Sequence, residues 1–119
     1  MIPPEILRIP SAAAGRSRAV AFGDFVWAVA VSPDNQPDMA AQTQKALAVI
    51  EKALVDAGSG KDRILTATVY ITDMNLKAAM DSAWNAWIPP DAGPQRACIE
   101  VGLAPGNMVE IVVLAGRKG

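Results

Sequence analysis

The chain has 119 residues, 51% of them apolar and 19% charged, with a formal net charge of −1. That balance describes one globular domain spanning residues 1–119, large enough for its own core and lacking the basic footprint of a nucleic-acid binder. There is no histidine and a single cysteine, which excludes imidazole relays, His-based triads, HExxH zinc sites, an internal disulfide and a four-thiolate metal site within one chain.

The start, Met1 to Glu5, has no cationic segment leading into an apolar one, so no signal peptide is expected. The longest apolar run, Phe25 to Val31, falls far short of the ~20 residues of a membrane span. A cytoplasmic protein with neither membrane nor nucleic-acid partner is the expectation.

In chain order, Glu5 to Ile9 reads as a short strand and Ser11 to Gly15 as a loop. Arg18 to Phe22 and Phe25 to Ser32 read as strands joined by the tight-turn dipeptide Gly23-Asp24. After a loop at Ser32 to Pro37, Asp38 is placed to cap a helix running to about Ala57, with Met39, Leu47, Ile50 and Leu54 at helical spacing and Gly58 as its stop. Ile64 to Thr72 has strand-like density. Asp73 or Asn75 then caps a second helix with Leu76, Ala79, Met80, Ala83, Trp84 and Trp87 on one face, ended by Pro89-Pro90. Arg96 to Leu103 and Met108 to Ala115 are the last strands, with Ala104 to Asn107 as the turn between them. The order β-β-β-α-β-α-β-β, without regular βαβ alternation, predicts an α+β fold with one sheet and both helices on one face.

Several residues are candidates for chemistry. Gly58-Ser59-Gly60-Lys61 lacks the spacing, the preceding strand and the following hydroxyl of a phosphate loop, and reads as a helix stop and turn. Glu110 lies inside Met108–Ala115, otherwise wholly apolar. A carboxylate there needs a partner or a purpose, unless an alternating strand simply turns it to water. Arg96 offers a planar fork suited to a carboxylate, against the plainer reading of an ion-pairing surface residue. Cys98 shares its face in a regular strand and reads as a small apolar filler unless its thiol is activated. Trp84 and Trp87 read as packing residues or as a stacking platform, and Asp81 on the same helix reads as solvated.

Leu54–Gly58, Thr66–Met74, Trp84–Trp87, Pro94–Cys98 and Val109–Ala115 fall in the order and spacing of a known family, with a weaker match through Arg16–Val20 and Phe22-Gly23. On these residues the chain resembles the RidA family, also called YjgF or reactive-intermediate deaminases. The resemblance implies a chorismate-mutase-like sheet with two helices, and a homotrimer with clefts between subunits. The activity it implies is hydrolysis of enamines and imines such as 2-aminoacrylate and 2-iminopropionate to a 2-oxo acid and ammonia, with no cofactor and no metal. By the same resemblance Arg96 clamps the carboxylate of a small-molecule substrate, Glu110 positions water, and Cys98 lies beside the site; Trp84 is counted as a further candidate binding residue.

The chain departs from the family pattern in three places. Val29-Ala30-Val31 stands where the family commonly has Ser-Gly-Gln, Arg16 where it has a tyrosine, and Asp81 where it has an asparagine. Arg16 and Asp81 therefore count as candidate binding residues that alter pocket polarity. A second cation suits a dicarboxylate such as an aminomuconate-type enamine, and a non-catalytic ligand-binding or regulatory trimer is the other reading. A ribonuclease has the least support, given the absent histidine and the net charge of −1. If residues 104–107 join neighbouring strands, Glu110 lies opposite Glu100 or Val101, roughly 13 Å along the strand from Arg96. Such a separation predicts a pocket completed by a second subunit.

Overall fold

The computed structural model describes residues 4–118. Strand β1 (Ile6–Pro10) pairs antiparallel with β2 (Ser17–Phe22), which turns directly into β3 (Phe25–Val31). Gly23 takes φ +60° at the first turn position, a conformation that suits the right-handed twist of a two-residue hairpin and favours glycine. Helix α1 (Met39–Asp56) begins as expected: Asp38 Oδ1 accepts from the Ala41 N–H at 2.7 Å. Met39, Leu47, Ile50 and Leu54 are buried along its inner stripe.

Strand β4 (Ile64–Ile71) is followed by a short 3-10 turn at Met74–Leu76, and it is this turn that Asp73 caps, ahead of helix α2 (Lys77–Trp87). Strand β5 (Gln95–Glu100) ends before the expected Leu103, and β6 (Val109–Gly116) closes the chain.

The six-stranded sheet has the order β1-β2-β3-β6-β4-β5, parallel only between β4 and β5. The expected pairing of β5 with β6 is therefore corrected: β6 lies between β3 and β4, and the connection after Glu100 crosses the end of β4. The reason is burial. Val109, Ile111, Val113 and Ala115 of β6 are all buried, as suits a central strand, whereas β5 has no buried residue and takes the edge.

Both helices pack on one face. The alternate residues Ala19 and Ala21, Val26, Ala28 and Ala30, Ala67 and Val69, and Ile111 and Val113 meet Leu47, Ile50, Leu54, Met80 and Trp84 in a single core. The opposite face carries no helix and leaves Phe25, Trp27 and Val112 exposed.

Buried Gln42 ties α1 to the chain entering β6. Its Nε2 donates to the Gly106 carbonyl at 2.8 Å and its Oε1 accepts from the Met108 N–H at 2.8 Å. Gly106 has φ +88°, a left-handed conformation that favours glycine, and it lies against the movable end of the Asn35 side chain.

Candidate functional site

Arg96 is in register with Ala67, which is in register with Val113, and both partners are buried in the helix-side core. Its side chain therefore enters the helix layer. There Nη2 donates to Asp81 Oδ1 at 2.5 Å, Nη1 reaches Met80 Sδ at 3.6 Å, and the guanidinium carbon lies 5.3 Å from the Trp84 ring centroid. Lys77 Nζ donates to the other Asp81 oxygen at 2.7 Å. Lys77, Met80, Asp81 and Trp84 follow helical spacing, so a single stripe of α2 makes the whole cradle. The Arg96 side chain keeps 19% of its surface exposed and lines an open cavity of about 480 Å³ with Trp84, Asn85, Ile88, Pro89 and Pro94.

The expectation that Asp81 is solvated is corrected, because it is shared between two cations. Burial alone would raise its carboxyl, but the hydrogen bonds and charges of Lys77 and Arg96 outweigh burial and hold it below the ordinary 3.8. Cys98 lies two residues beyond Arg96 on the same face, half-buried. Burial pushes its thiol above the ordinary 9.0 against the opposing charges of Lys77 and Arg96, with Asp81 adding to the rise. It is a neutral thiol near pH 7, not an activated nucleophile.

Glu110 has its register partners at Val31 and Tyr70, between the buried Val109 and Ile111 of its own strand. It therefore projects from the face without helices, half-buried. It lines a groove of about 520 Å³ with Arg16, Arg18, Val29, Val31 and Asn107. Among the described residues, Glu110 has no ion-pair partner.

The candidate residues thus fall into two groups. Arg96, Cys98, Asp81 and Trp84 come together against α2, while Glu110 and Arg16 line a separate groove that also reaches Ala30 and, on α1, Val49. The register behind the expected Arg96–Glu110 separation is replaced: the level of Arg96 on β6 is Val113, so Glu110 lies three residues along and, with β4 intervening, two strand spacings across. That is about 10 Å in each direction, besides the change of face.

Two contributors escaped the sequence reading. Lys77 stands four residues before Asp81, a spacing that marks an i,i+4 pair on any helix. Arg18 carried no comparable local signal; its Nε donates to the Pro10 carbonyl at 2.9 Å. Among the described residues, no group of three or more cysteine or acidic side chains is gathered so as to hold a metal ion. No described helix is long and apolar enough to cross a membrane.

Comparison with known proteins agrees with this fold. The sequence model of the family described as Endoribonuclease L-PSP matches residues 7–116. A RutC family protein of Haemophilus ducreyi is 41% identical over 98 residues, covering 82% of this chain and 84% of that protein. The RutC family protein YoaB of Escherichia coli is 36% identical over 111 residues, covering 92% and 96% respectively. Among solved structures, a YjgF family member from Neisseria meningitidis superposes with a TM-score of 0.89 at 32% identity, covering 97% of each chain. By its sequence over most of its length and by its sheet and helix layer alike, the chain belongs to the YjgF/RidA family.

Proposed function

We propose that this protein hydrolyses reactive enamines and imines of small carboxylic acids to the 2-oxo acid and ammonia, in a site that two copies of the chain build together. The supporting observation is the division of the chemistry. A carboxylate anchor, Arg96, opens to one cavity, and Glu110, without an ion-pair partner among the described residues, lines a separate groove. Neither half is sufficient alone. The exposed Phe25, Trp27 and Val112 on the helix-free face give a second copy an apolar surface to cover, in keeping with the homotrimer that the family resemblance implies.

The chemistry needs little more than position. Arg96 fixes the substrate carboxylate and so orients the adjacent C=N carbon. Glu110 accepts a proton from a water molecule as the water oxygen bonds to that carbon, and the C=N π pair moves onto nitrogen. The proton then passes to the nitrogen, giving a carbinolamine; Glu110 carries the carbinolamine's hydroxyl proton to the same nitrogen, the C–N bond breaks, ammonia leaves, and the carbonyl of the 2-oxo acid forms. An enamine enters the same sequence after protonation at its β-carbon. Arg16 and Arg18 beside Glu110 favour, as a second reading, a longer dicarboxylate enamine whose far carboxylate they would hold.

The test is ammonia release from freshly generated 2-iminopropionate and from a dicarboxylate enamine. Arg96→Ala and Glu110→Gln are each expected to lower kcat/KM by roughly two orders of magnitude. Turnover by the unaltered protein no faster than the uncatalysed reaction on both substrates would overturn the reading in favour of a ligand-binding module.

A further inference from the structure

We propose that Lys77 and Asp81 form a transferable counter-ion pair that sets how tightly Arg96 holds a ligand carboxylate. Asp81 occupies Arg96 in the empty site and retires onto Lys77 when a carboxylate docks. This rests on the reading of Arg96 as the anchor, and adds a specificity device to it.

The geometry of the contact carries the inference. Asp81 does not meet the guanidinium as a fork: one oxygen goes to Arg96 Nη2 at 2.5 Å and the other to Lys77 Nζ at 2.7 Å. A bidentate pair would hold Arg96 firmly, whereas a split one leaves Asp81 a charged partner after it lets go. The remaining guanidinium edge faces Met80 sulfur, a weak acceptor, so Arg96 retains unspent donors beside the open cavity. Lys77 is 41% exposed on its side chain and free to follow Asp81.

Charge adds a second line of support. Lys77, Asp81 and Arg96 carry two formal positive charges and one negative, so the cluster is left at +1. One monocarboxylate neutralises it. Without Lys77 the cluster would be neutral before any ligand arrived, and an incoming carboxylate would meet Asp81 as a like charge with nowhere to turn. Lys77 is thus a positioning and specificity residue acting through Asp81, not a direct ligand.

The experiment is calorimetric titration of the native oligomer with pyruvate, a simple 2-oxo acid, using Asp81→Asn, Lys77→Gln, the double variant and Arg96→Ala. Asp81→Asn is expected to tighten pyruvate binding roughly tenfold, and Lys77→Gln to weaken it by a similar factor. In the double variant, Lys77→Gln should change affinity by no more than about twofold relative to Asp81→Asn alone. Such rescue is not produced by damage to the helix, which circular dichroism would register separately.

If pyruvate binds and Arg96→Ala abolishes binding, but Asp81→Asn has no effect or the Lys77→Gln penalty persists in the double variant, the counter-ion inference fails and the anchor stands. Binding that survives Arg96→Ala, or binding by no variant at all, overturns the anchor and this inference with it.

Discussion

Arg96 and Glu110 leave opposite faces of one sheet, Arg96 into the layer of helices and Glu110 onto the uncovered side. No side-chain rotation brings them together in one chain, because β4 stands between their strands and the continuous hydrogen-bonded sheet separates its two faces. A reaction that uses both residues must take them from different copies.

Mixed oligomers test this directly. Arg96→Ala and Glu110→Gln are each expected to retain only about a hundredth of native activity alone. When the two chains are co-expressed at equal levels, a shared site regains both residues in about a quarter of its random pairings. Deaminase activity near that fraction of the native value is the expected result. A mixture no more active than its parents would show that the two residues do not meet across an interface.

The fold was legible wherever local chemistry decides structure. Asp38 caps α1 and Gly23-Asp24 closes the β2–β3 hairpin, as their residue types require. The neighbours of β6 were not legible. Alternation of apolar residues says which side of a strand is buried, but not which strands flank it, and the turn at Ala104 to Asn107 invited a hairpin that the core forbids. The same limit applies to the site. The spacing places Arg96 and Cys98 on one face, whereas the i,i+4 spacing of Lys77 and Asp81 is common to any solvated helix face and singled neither out as partners. That Asp81 reaches Arg96, fifteen residues away, follows only from the parallel crossover that lays α2 over β5.

Gln42 sets the entry of the chain into Glu110's strand, and its loss should be felt in stability before chemistry. Gln42→Leu removes an acceptor from the Met108 N–H and a donor from the Gly106 carbonyl, leaving both without those partners beside the core. The expected cost is about 2–4 kcal/mol in the free energy of urea unfolding. Amide exchange at Met108 should accelerate more than exchange within α1. A variant as stable as the native chain would mean that solvent satisfies these groups.

Cys98 should be dispensable as a nucleophile. Its thiol is raised above 9.0 by burial, so thiolate is scarce near pH 7. Iodoacetamide should modify the folded protein more slowly than the urea-unfolded chain at pH 7, with the rate climbing only above pH 9. Cys98→Ser should retain kcat/KM within a factor of about three, since no step requires a thiolate. Rapid alkylation at neutral pH, accompanied by loss of turnover, would restore a chemical role to the thiol.

The acid limb of stability should carry the signature of Asp81. In the folded chain Lys77 and Arg96 hold its carboxyl below the ordinary 3.8, so as pH falls the unfolded chain takes up this proton first. The stabilisation is therefore complete above that ordinary value and is lost as pH falls through the lowered folded value. Asp81→Asn has no proton to gain. As pH falls below the ordinary 3.8, its unfolding free energy should depend less steeply on pH than that of the native chain, by at most ~1.4 kcal/mol per pH unit for a single proton. Urea midpoints across that range measure the difference. Parallel acid limbs for the two proteins would show that Asp81 is not held by its cations in solution, and would remove the electrostatic basis for its grip on Arg96.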